Sequence, residues 1–274
     1  MLLFGNFQIE AIVAIGIVLF FGMGLHEYAH AVVADWWGDP TPREMGRLTP
    51  NPIVHINWVG WLMFLFIGFG ILGSVPINPS RMRDGRWGSF WTSFAGPISN
   101  LIQAALFALG LRLVTLVTDA IVIVNDLTFV TQASLADKVV LFQGTMPQVV
   151  SGEVSSLWYF IALLFYFGVV FNVLLFVFNL LPLFPIDGWR MVLAMLPGTG
   201  IARNDIPDPI RKNARPLANF MASPAYTWQQ WAQITQYAFF GLLLVSFAIP
   251  QLNVFGLLIG QPMFAISRFL LGAF

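Results

Sequence analysis

Long apolar stretches alternate with polar segments along this chain, and the alternation predicts its main elements. Six stretches of 16 to 28 residues are predominantly apolar. They are Phe7–Ala34, Ile56–Val75, Phe90–Val117, Leu157–Phe178, Ile234–Ile249 and Val254–Leu271. A helix needs about 20 apolar residues to cross a bilayer. The pattern therefore predicts an all-α polytopic membrane protein, and residues 118–156 are predicted to be a loop too short for a domain of its own.

The second stretch, 56–75, is ambiguous because four glycines weaken it as a plain helix. Cytoplasmic loops are enriched in Lys and Arg, so loop charge can decide between two arrangements. Six spans would divide the loop Lys and Arg nine to three, whereas five spans with a re-entrant 56–75 place eleven on one face and leave Lys138 opposite. We therefore expect about five transmembrane helices plus a re-entrant or partly β segment, with six spans as the alternative. The N-terminus is then outside and the C-terminus is in the cytosol.

The composition agrees with this class and excludes several others. The chain has 274 residues, of which 58% are hydrophobic and 9% charged, and its mean hydropathy is +0.77. Soluble domains carry about 25% charged residues. The net charge is zero, which gives no reason to expect nucleic-acid binding. Cysteine is absent, so any metal must be held by His and carboxylate side chains.

The first stretch contains the motif His26-Glu27-Tyr28-Ala29-His30, which holds two of the three histidines in the chain. Imidazoles at i and i+4 project from one face of a helix and can bind the same metal ion. The carboxylate of Glu27 is placed to act on water at the metal rather than on the metal. Ionisable groups within a membrane span are costly and tend to mark function, so we interpret this motif as a metal site.

Two histidines leave a catalytic zinc ion short of one protein ligand. His55 and Asp187 are the main candidates for the third ligand. Asp187 is the better one, because it ends an uncharged stretch and follows Pro182 and Pro185. Proline cannot continue regular helical hydrogen bonding, and a loosened helix at membrane depth is tolerated where it lines a cavity. In the five-span arrangement Asp187 also lies on the cytosolic side, like His26 and His30.

Three motifs occur in the order typical of one family. His26-Glu27-x-x-His30 is followed by Ala-Gly-Pro-x-x-Asn at 95–100 and by Asn179-x-x-Pro-x-x-Pro-x-Asp187-Gly at 179–188. Over residues 10–196 the chain thus resembles the site-2 protease family of intramembrane zinc metalloproteases (peptidase family M50). The first and third motifs are highly specific in combination, and the middle one is supportive.

The resemblance implies a role for each matched residue. His26, His30 and Asp187 would ligate Zn²⁺, Glu27 would be the catalytic acid/base, and Asn179 would position substrate. His55 remains a structural residue or a candidate to contact one of the ligands without binding the metal itself. The substrate would be a transmembrane protein, cut within or near its membrane segment. The protein would be a multi-pass protein of a bacterial or archaeal inner membrane, with its active site towards the cytosol.

Together with the alternation of apolar and polar segments, the resemblance predicts three parts. We expect residues 1–196 to form a catalytic membrane core, 197–233 a cytosolic or interfacial loop whose basic residues lie near anionic lipid, and 234–274 a C-terminal helix pair. The chain departs from the family pattern at Trp189, where members commonly have a small residue, and at Ile186. The oligomeric state is left open.

Simpler interpretations compete with several of these roles. The buried His and Glu side chains could satisfy one another between helices, and Asp187 could pair with Arg190. Asn179 could hydrogen-bond across helices, and Asn100 and Asn172 are interpreted as helix-packing residues. The rival function is a non-catalytic membrane zinc protein or transporter, and a purely structural scaffold is a third possibility.

Overall fold

The computed structural model describes residues 9–67, 70, 72–118, 121–124, 127–129, 139–143, 146–151, 156–195, 228–248 and 256–272. This part of the chain is mostly helical, as the hydrophobic pattern predicted. Its helices are α1 (Ile9–Trp36), α2 (Thr41–Glu44), α3 (Trp58–Ile67), α4 (Gly85–Thr118), α5 (Ser156–Asn179), α6 (Asp187–Met195), α7 (Trp228–Ala248) and α8 (Gln261–Gly272). Two 3₁₀ turns, Pro52–His55 and Pro79–Arg81, and a π-helical turn, Gly256–Gly260, complete these elements.

Helices α1, α4 and α5 pack against one another and form the centre of the fold. These three are long and apolar enough to cross a membrane within the part of the chain that is described. Mainly small and β-branched side chains fill the contacts between them. They include Ala11, Ala14, Ile15 and Val18 of α1, Ala104 and Ala108 of α4, and Leu163, Val169 and Val173 of α5. In lipid the hydrophobic effect does not hold helices together, so their association depends on close packing, which small residues allow.

The opposite face of α1 carries apolar side chains that are exposed in the described part of the chain. Val13, Ile17, Phe21 and Leu25 recur every four residues and are exposed. This spacing keeps them on one side of the helix. A helix that is apolar on both its packed and its exposed face suits a hydrocarbon environment. The fold is therefore that of a helical membrane protein.

The ends of the 56–75 segment meet in the structure. Helix α3 has 10 residues, which is about 15 Å of helix and half the thickness of a bilayer core. Ile56 and Gly73 form an antiparallel bridge, and the Asn57 N–H donates to the Leu72 carbonyl oxygen at 2.9 Å. The chain thus returns from α3 to the place where it entered.

The segment between α4 and α5 differs from its prediction as a loop. It holds four strands, β1 (Ile121–Val124), β2 (Leu127–Phe129), β3 (Val139–Gln143) and β4 (Met146–Ser151). Their order in the sheet is β2-β1-β3-β4, with β1 and β3 parallel and the outer pairs antiparallel. The segment therefore adds a small sheet to a chain whose other described elements are helical. Apolar runs such as Ile-Val-Ile-Val are typical of strands, but they do not stand out in a chain whose helices are equally apolar.

The C-terminal helices α7 and α8 occupy the last two apolar stretches. Helix α7 begins at Trp228, six residues before the predicted boundary at 234. Its Phe239 is fully buried and contacts Phe178 of α5, with ring centroids 6.0 Å apart. Residues 196–227, which hold most of the predicted 197–233 loop, lie outside the described residues, as does Lys138. The five-span count stays a prediction.

Polar contacts join the end of α1 to the beginning of α4. Asp39 is fully buried and accepts hydrogen bonds from the Thr41 N–H at 3.0 Å and the Asn78 N–H at 2.6 Å. Arg81 forms a two-bond pair with Glu44 at 2.6 and 2.7 Å, which lowers the pKa of that carboxyl. These contacts fix the register in which α1 and α4 face each other. That register matters because α1 carries His26 and His30 and α4 passes beside them.

Candidate metal centre

Three side chains from two distant parts of the chain converge at one point. His26 and His30 lie one turn apart on α1, and their Nε2 atoms are 3.0 Å from each other. Asp187, the first residue of α6, brings its Oδ2 atom to 3.1 Å from Nε2 of His26 and 3.2 Å from Nε2 of His30. Both histidines are buried, and Asp187 is partly buried. Together the three residues could hold one metal ion.

Hydrogen bonds on the far side of each ring determine which nitrogen faces the centre. Nδ1 of His26 lies 2.5 Å from Oδ1 of Asn100, and Nδ1 of His30 lies 2.6 Å from the Thr92 carbonyl oxygen. Because both partners are acceptors, each Nδ1 carries the proton and each Nε2 directs its lone pair inwards. Two imidazole lone pairs and a carboxylate oxygen that face one point form a donor set suited to a metal cation.

The donor set fits zinc. Zinc sites use imidazole nitrogen and carboxylate oxygen at about 2.0–2.2 Å, and a tetrahedral arrangement then separates the ligand atoms by about 3.3 Å. The observed separations of 3.0 to 3.2 Å are close to this spacing. Three protein ligands leave a fourth position open, which is the arrangement of a catalytic rather than a structural site.

Gly96 provides the space that such an ion needs. A Cβ atom at this position would lie 2.5 Å from Nε2 of His26 and would also meet Nε2 of His30. The backbone of α4 therefore passes directly beside the ligand atoms, and any side chain there would fill the centre. The sequence motif Ala-Gly-Pro pointed to this region without showing why glycine is needed.

Asp187 is held in place by the two ends of α6. At the first end, a Cβ on Gly188 would lie 2.5 Å from the Leu180 carbonyl oxygen, so only glycine fits beside the aspartate. At the second end, the buried guanidinium of Arg86 donates from Nε to the Ala194 carbonyl oxygen at 2.6 Å. Arg86 belongs to α4, so this bond docks α6 on the helix that also carries Gly96.

Glu27 lies on α1 between the two histidines and is only 4% exposed. A Cβ at Gly73 would lie 2.9 Å from Cγ of Glu27 and 3.1 Å from the His55 carbonyl oxygen. The returning end of the 56–75 segment thus lies close against the glutamate. A buried carboxylate beside a metal centre is the arrangement expected of a general base.

Asn100 does more than pack helices. It is fully buried and contacts His26, and its Nδ2 atom donates to Oδ1 of Asn172 at 2.9 Å. The interpretation of Asn100 and Asn172 as packing residues is therefore incomplete. Placing two amide side chains within apolar spans costs free energy, and this cost could have marked Asn100 and Asn172 as functional from the sequence.

His55 and Asn179 make their hydrogen bonds away from the ligands. Nε2 of His55 lies 2.9 Å from the Thr49 carbonyl oxygen, and the ring is 2% exposed. Nδ2 of Asn179 donates to the Leu175 carbonyl oxygen one turn earlier in α5, at 2.9 Å. Trp189, the departure from the family pattern, is buried, and Ile186 is buried beside it.

Comparison with known proteins agrees with the motifs. The family model described as Peptidase family M50 matches residues 11–215, a range that includes all three converging side chains. The chain is 33% identical over 181 residues to a Bacillus subtilis (strain 168) protein named "Putative zinc metalloprotease YwhC", a match that covers 66% of this chain and 68% of that protein. No solved structure matches the chain. The chain therefore belongs to peptidase family M50, the site-2 protease family of membrane zinc metalloproteases.

Proposed function

We propose that this protein is an intramembrane zinc endopeptidase that cuts a membrane-protein substrate within or near its transmembrane segment. The observation that carries the proposal is the convergence of His26, His30 and Asp187 within 3.2 Å beside the buried Glu27. The first two lie on a helix of 28 residues that is apolar enough to span a membrane. A hydrolytic site on such a helix is suited to a substrate that is itself in the membrane.

Each residue of the site then has a chemical task. His26, His30 and Asp187 hold the ion, and the Nδ1 partners of the two imidazoles keep their Nε2 atoms directed at it. Zinc bound there would act as the Lewis acid that polarises the scissile carbonyl, and it would lower the pKa of water towards about 7. The Glu27 carboxylate takes the proton of the attacking water and passes it to the leaving amine.

The substrate must reach the site with an extended backbone, because the amides of an intact helix are occupied by its own hydrogen bonds. The returning end of the 56–75 segment lies against Glu27 at Gly73, and its backbone is our candidate for pairing with the substrate. Asn179 is our candidate for positioning substrate. To do so, its amide must exchange the bond to the Leu175 carbonyl oxygen for one to the substrate.

We further propose that the 56–75 segment is re-entrant and that five helices span the membrane. The bridge between Ile56 and Gly73 and the 10-residue length of α3 support this arrangement. The metal centre then lies towards the cytosolic side of a bacterial or archaeal inner membrane. Reporter fusions test the topology: fusions at residues 45 and 84 should both report the cytosol, and a fusion at 137 should report the outside. Opposite sides for 45 and 84 would exclude the re-entrant arrangement.

The substitution Glu27→Gln tests the catalytic proposal. Glutamine has the same shape but cannot accept the water proton, so the variant should keep zinc and lose cleavage. Membrane proteins of cells carrying wild type and Glu27→Gln should then be compared, and a substrate should accumulate uncut in the variant. A Glu27→Gln protein that still cleaves would overturn the catalytic assignment. Cleavage by neither protein together with bound zinc would favour the non-catalytic alternative.

A further inference from the structure

A line of buried amide groups connects the proposed metal ligand His26 on α1 to α4 and α5 through the interface of these three helices. It crosses from α1 to Asn100 on α4 and from there to Asn172 on α5. The successive distances are 2.5 Å from Nδ1 of His26 to Oδ1 of Asn100 and 2.9 Å from Nδ2 of Asn100 to Oδ1 of Asn172. The line ends where Nδ2 of Asn172 donates to the Gly168 carbonyl oxygen at 2.8 Å. Both asparagines are 0% exposed.

The bond from Asn172 to the Gly168 carbonyl oxygen determines which end of each amide donates along the whole line. The Gly168 carbonyl can only accept, so the amide nitrogen of Asn172 must face it and the amide oxygen must face Asn100. That oxygen accepts from Nδ2 of Asn100, which turns the Asn100 oxygen towards His26. His26 must then carry its proton on Nδ1, and its Nε2 lone pair is left for the metal.

We propose that Asn172 is a positioning residue that sets the tautomer of His26 through Asn100. This inference rests on the proposed role of His26 as a zinc ligand. Asn172 contacts neither the ion nor the reacting atoms. It acts by preventing the Asn100 amide from turning over.

The surroundings of Asn100 show why a second residue is needed for this task. Apart from Asn172, the acceptor near the Asn100 amide nitrogen is the Gly22 carbonyl oxygen. It lies 3.5 Å away, which is the outer limit of a hydrogen bond. Gln103 points its own amide nitrogen at that same oxygen, also at 3.5 Å. Without Asn172, the Asn100 amide can rotate and present its nitrogen to His26. The ring would then accept on Nδ1 and carry its proton on Nε2, where it blocks the metal.

The structure also makes room for Asn172 on α1. A Cβ at Gly22 would lie 3.3 Å from Oδ1 of Asn172, which is tighter than most real contacts. Glycine at this position therefore allows the α5 amide to reach the interface with α1 and α4. Because both asparagines are fully buried, water does not compete for the hydrogen bonds of this line.

The test measures zinc affinity of the full-length purified protein by competition with a chelator. Asn172→Leu removes the amide and keeps a side chain of similar size. Loss of an outer partner of a metal-bound histidine typically weakens metal binding about 10–100-fold, and we expect a loss in that range. The second variant adds Asn100→Asp to Asn172→Leu. A carboxylate at position 100 has only acceptor atoms, so it holds the Nδ1–H tautomer of His26 without help and should restore zinc affinity.

Val173→Ala provides the matched control. Val173 is the next residue of α5 and is fully buried, so this variant leaves a cavity in the same helix without touching the amide line. It should lower the melting temperature and leave zinc affinity unchanged. Visible absorption of the Co²⁺-substituted proteins gives a second measurement, because its intensity reports whether the ion is four-coordinate in each variant.

The outcomes separate this inference from the proposed function. Weak zinc binding in Asn172→Leu that Asn100→Asp restores supports the inference. Wild-type affinity in Asn172→Leu overturns it, and so does a folded double variant that binds zinc as weakly as the single one. A wild-type protein that binds neither zinc nor Co²⁺ overturns the proposed function itself.

Discussion

Gly96→Ala is the smallest change that the structure predicts to abolish metal binding. In most helix interiors, alanine is favoured over glycine by about 0.5–1 kcal/mol. At this position the added methyl carbon would lie 2.5 Å from Nε2 of His26 and would also meet His30. The substitution therefore places a methyl group where the ligand atoms converge. We expect it to destabilise the metal centre here, instead of giving the small gain in stability that alanine gives elsewhere in a helix.

The size of the effect follows from the contact distances. Non-bonded heavy atoms are usually about 3.5 Å apart at closest comfortable approach, so each imidazole must move by roughly 1 Å. Metal sites tolerate ligand displacements of only about 0.2 Å. At least one imidazole should leave the coordination sphere. The loss of zinc affinity should then exceed the roughly 10–100-fold that removal of an outer partner causes.

The assay compares Gly96→Ala with Gly16→Ala. Gly16 lies in α1, and a Cβ there meets no atom within 4 Å, so this control makes the same substitution in open space. Zinc content after purification and dialysis, together with the melting temperature in chelator, separates loss of metal from loss of fold. We expect Gly16→Ala to keep one zinc per chain and Gly96→Ala to keep none while remaining folded. Stoichiometric zinc in Gly96→Ala would refute the placement of the metal beside α4.

Three further predictions concern the surroundings of the metal. Gly73→Ala should displace Glu27, whose Cγ would lie 2.9 Å from the new methyl carbon, so cleavage of a model transmembrane substrate should fall while zinc content is unchanged. Arg86→Met should remove the charged hydrogen bond to the Ala194 carbonyl oxygen and cost about 1.5–3 kcal/mol of stability, measured by denaturation, together with weaker zinc binding through Asp187. Removal of metal by a chelator should abolish cleavage, and added Zn²⁺ or Co²⁺ should restore it; activity that survives chelation would contradict a metal-dependent mechanism.

Local patterns carried most of what could be predicted. The helix period places His26 and His30 on one face wherever that helix lies, because side-chain spacing of i and i+4 is a property of the backbone alone. The apolar lengths predicted a helical membrane protein, and three of the long stretches are helices able to span. The family was confirmed by comparison, since its motifs consist of short runs of adjacent residues.

The sheet between α4 and α5 was missed for a physical reason. In a soluble chain, alternation with polar residues distinguishes a strand from a helix. Here β1 is a continuous apolar run and β3 is apolar except for Gln143, so neither strand shows this alternation. Their pairing also joins residues that are distant in sequence, such as Ile121 with Val139. The hydrophobic periodicity of a single segment shows neither the strand character of these runs nor their distant partners.

The sequence by itself predicted the membrane class, the two-histidine helix and Asp187 as the preferred candidate for a third ligand. Only the tertiary structure showed that Gly96 leaves space beside the converging side chains and that Asn100 and Asn172 form a hydrogen-bonded line to His26. The reason is that these relations depend on how α1, α4 and α5 are packed. Asn100 is 74 residues from the His26 ring that it contacts, and no local pattern encodes a hydrogen bond across that separation.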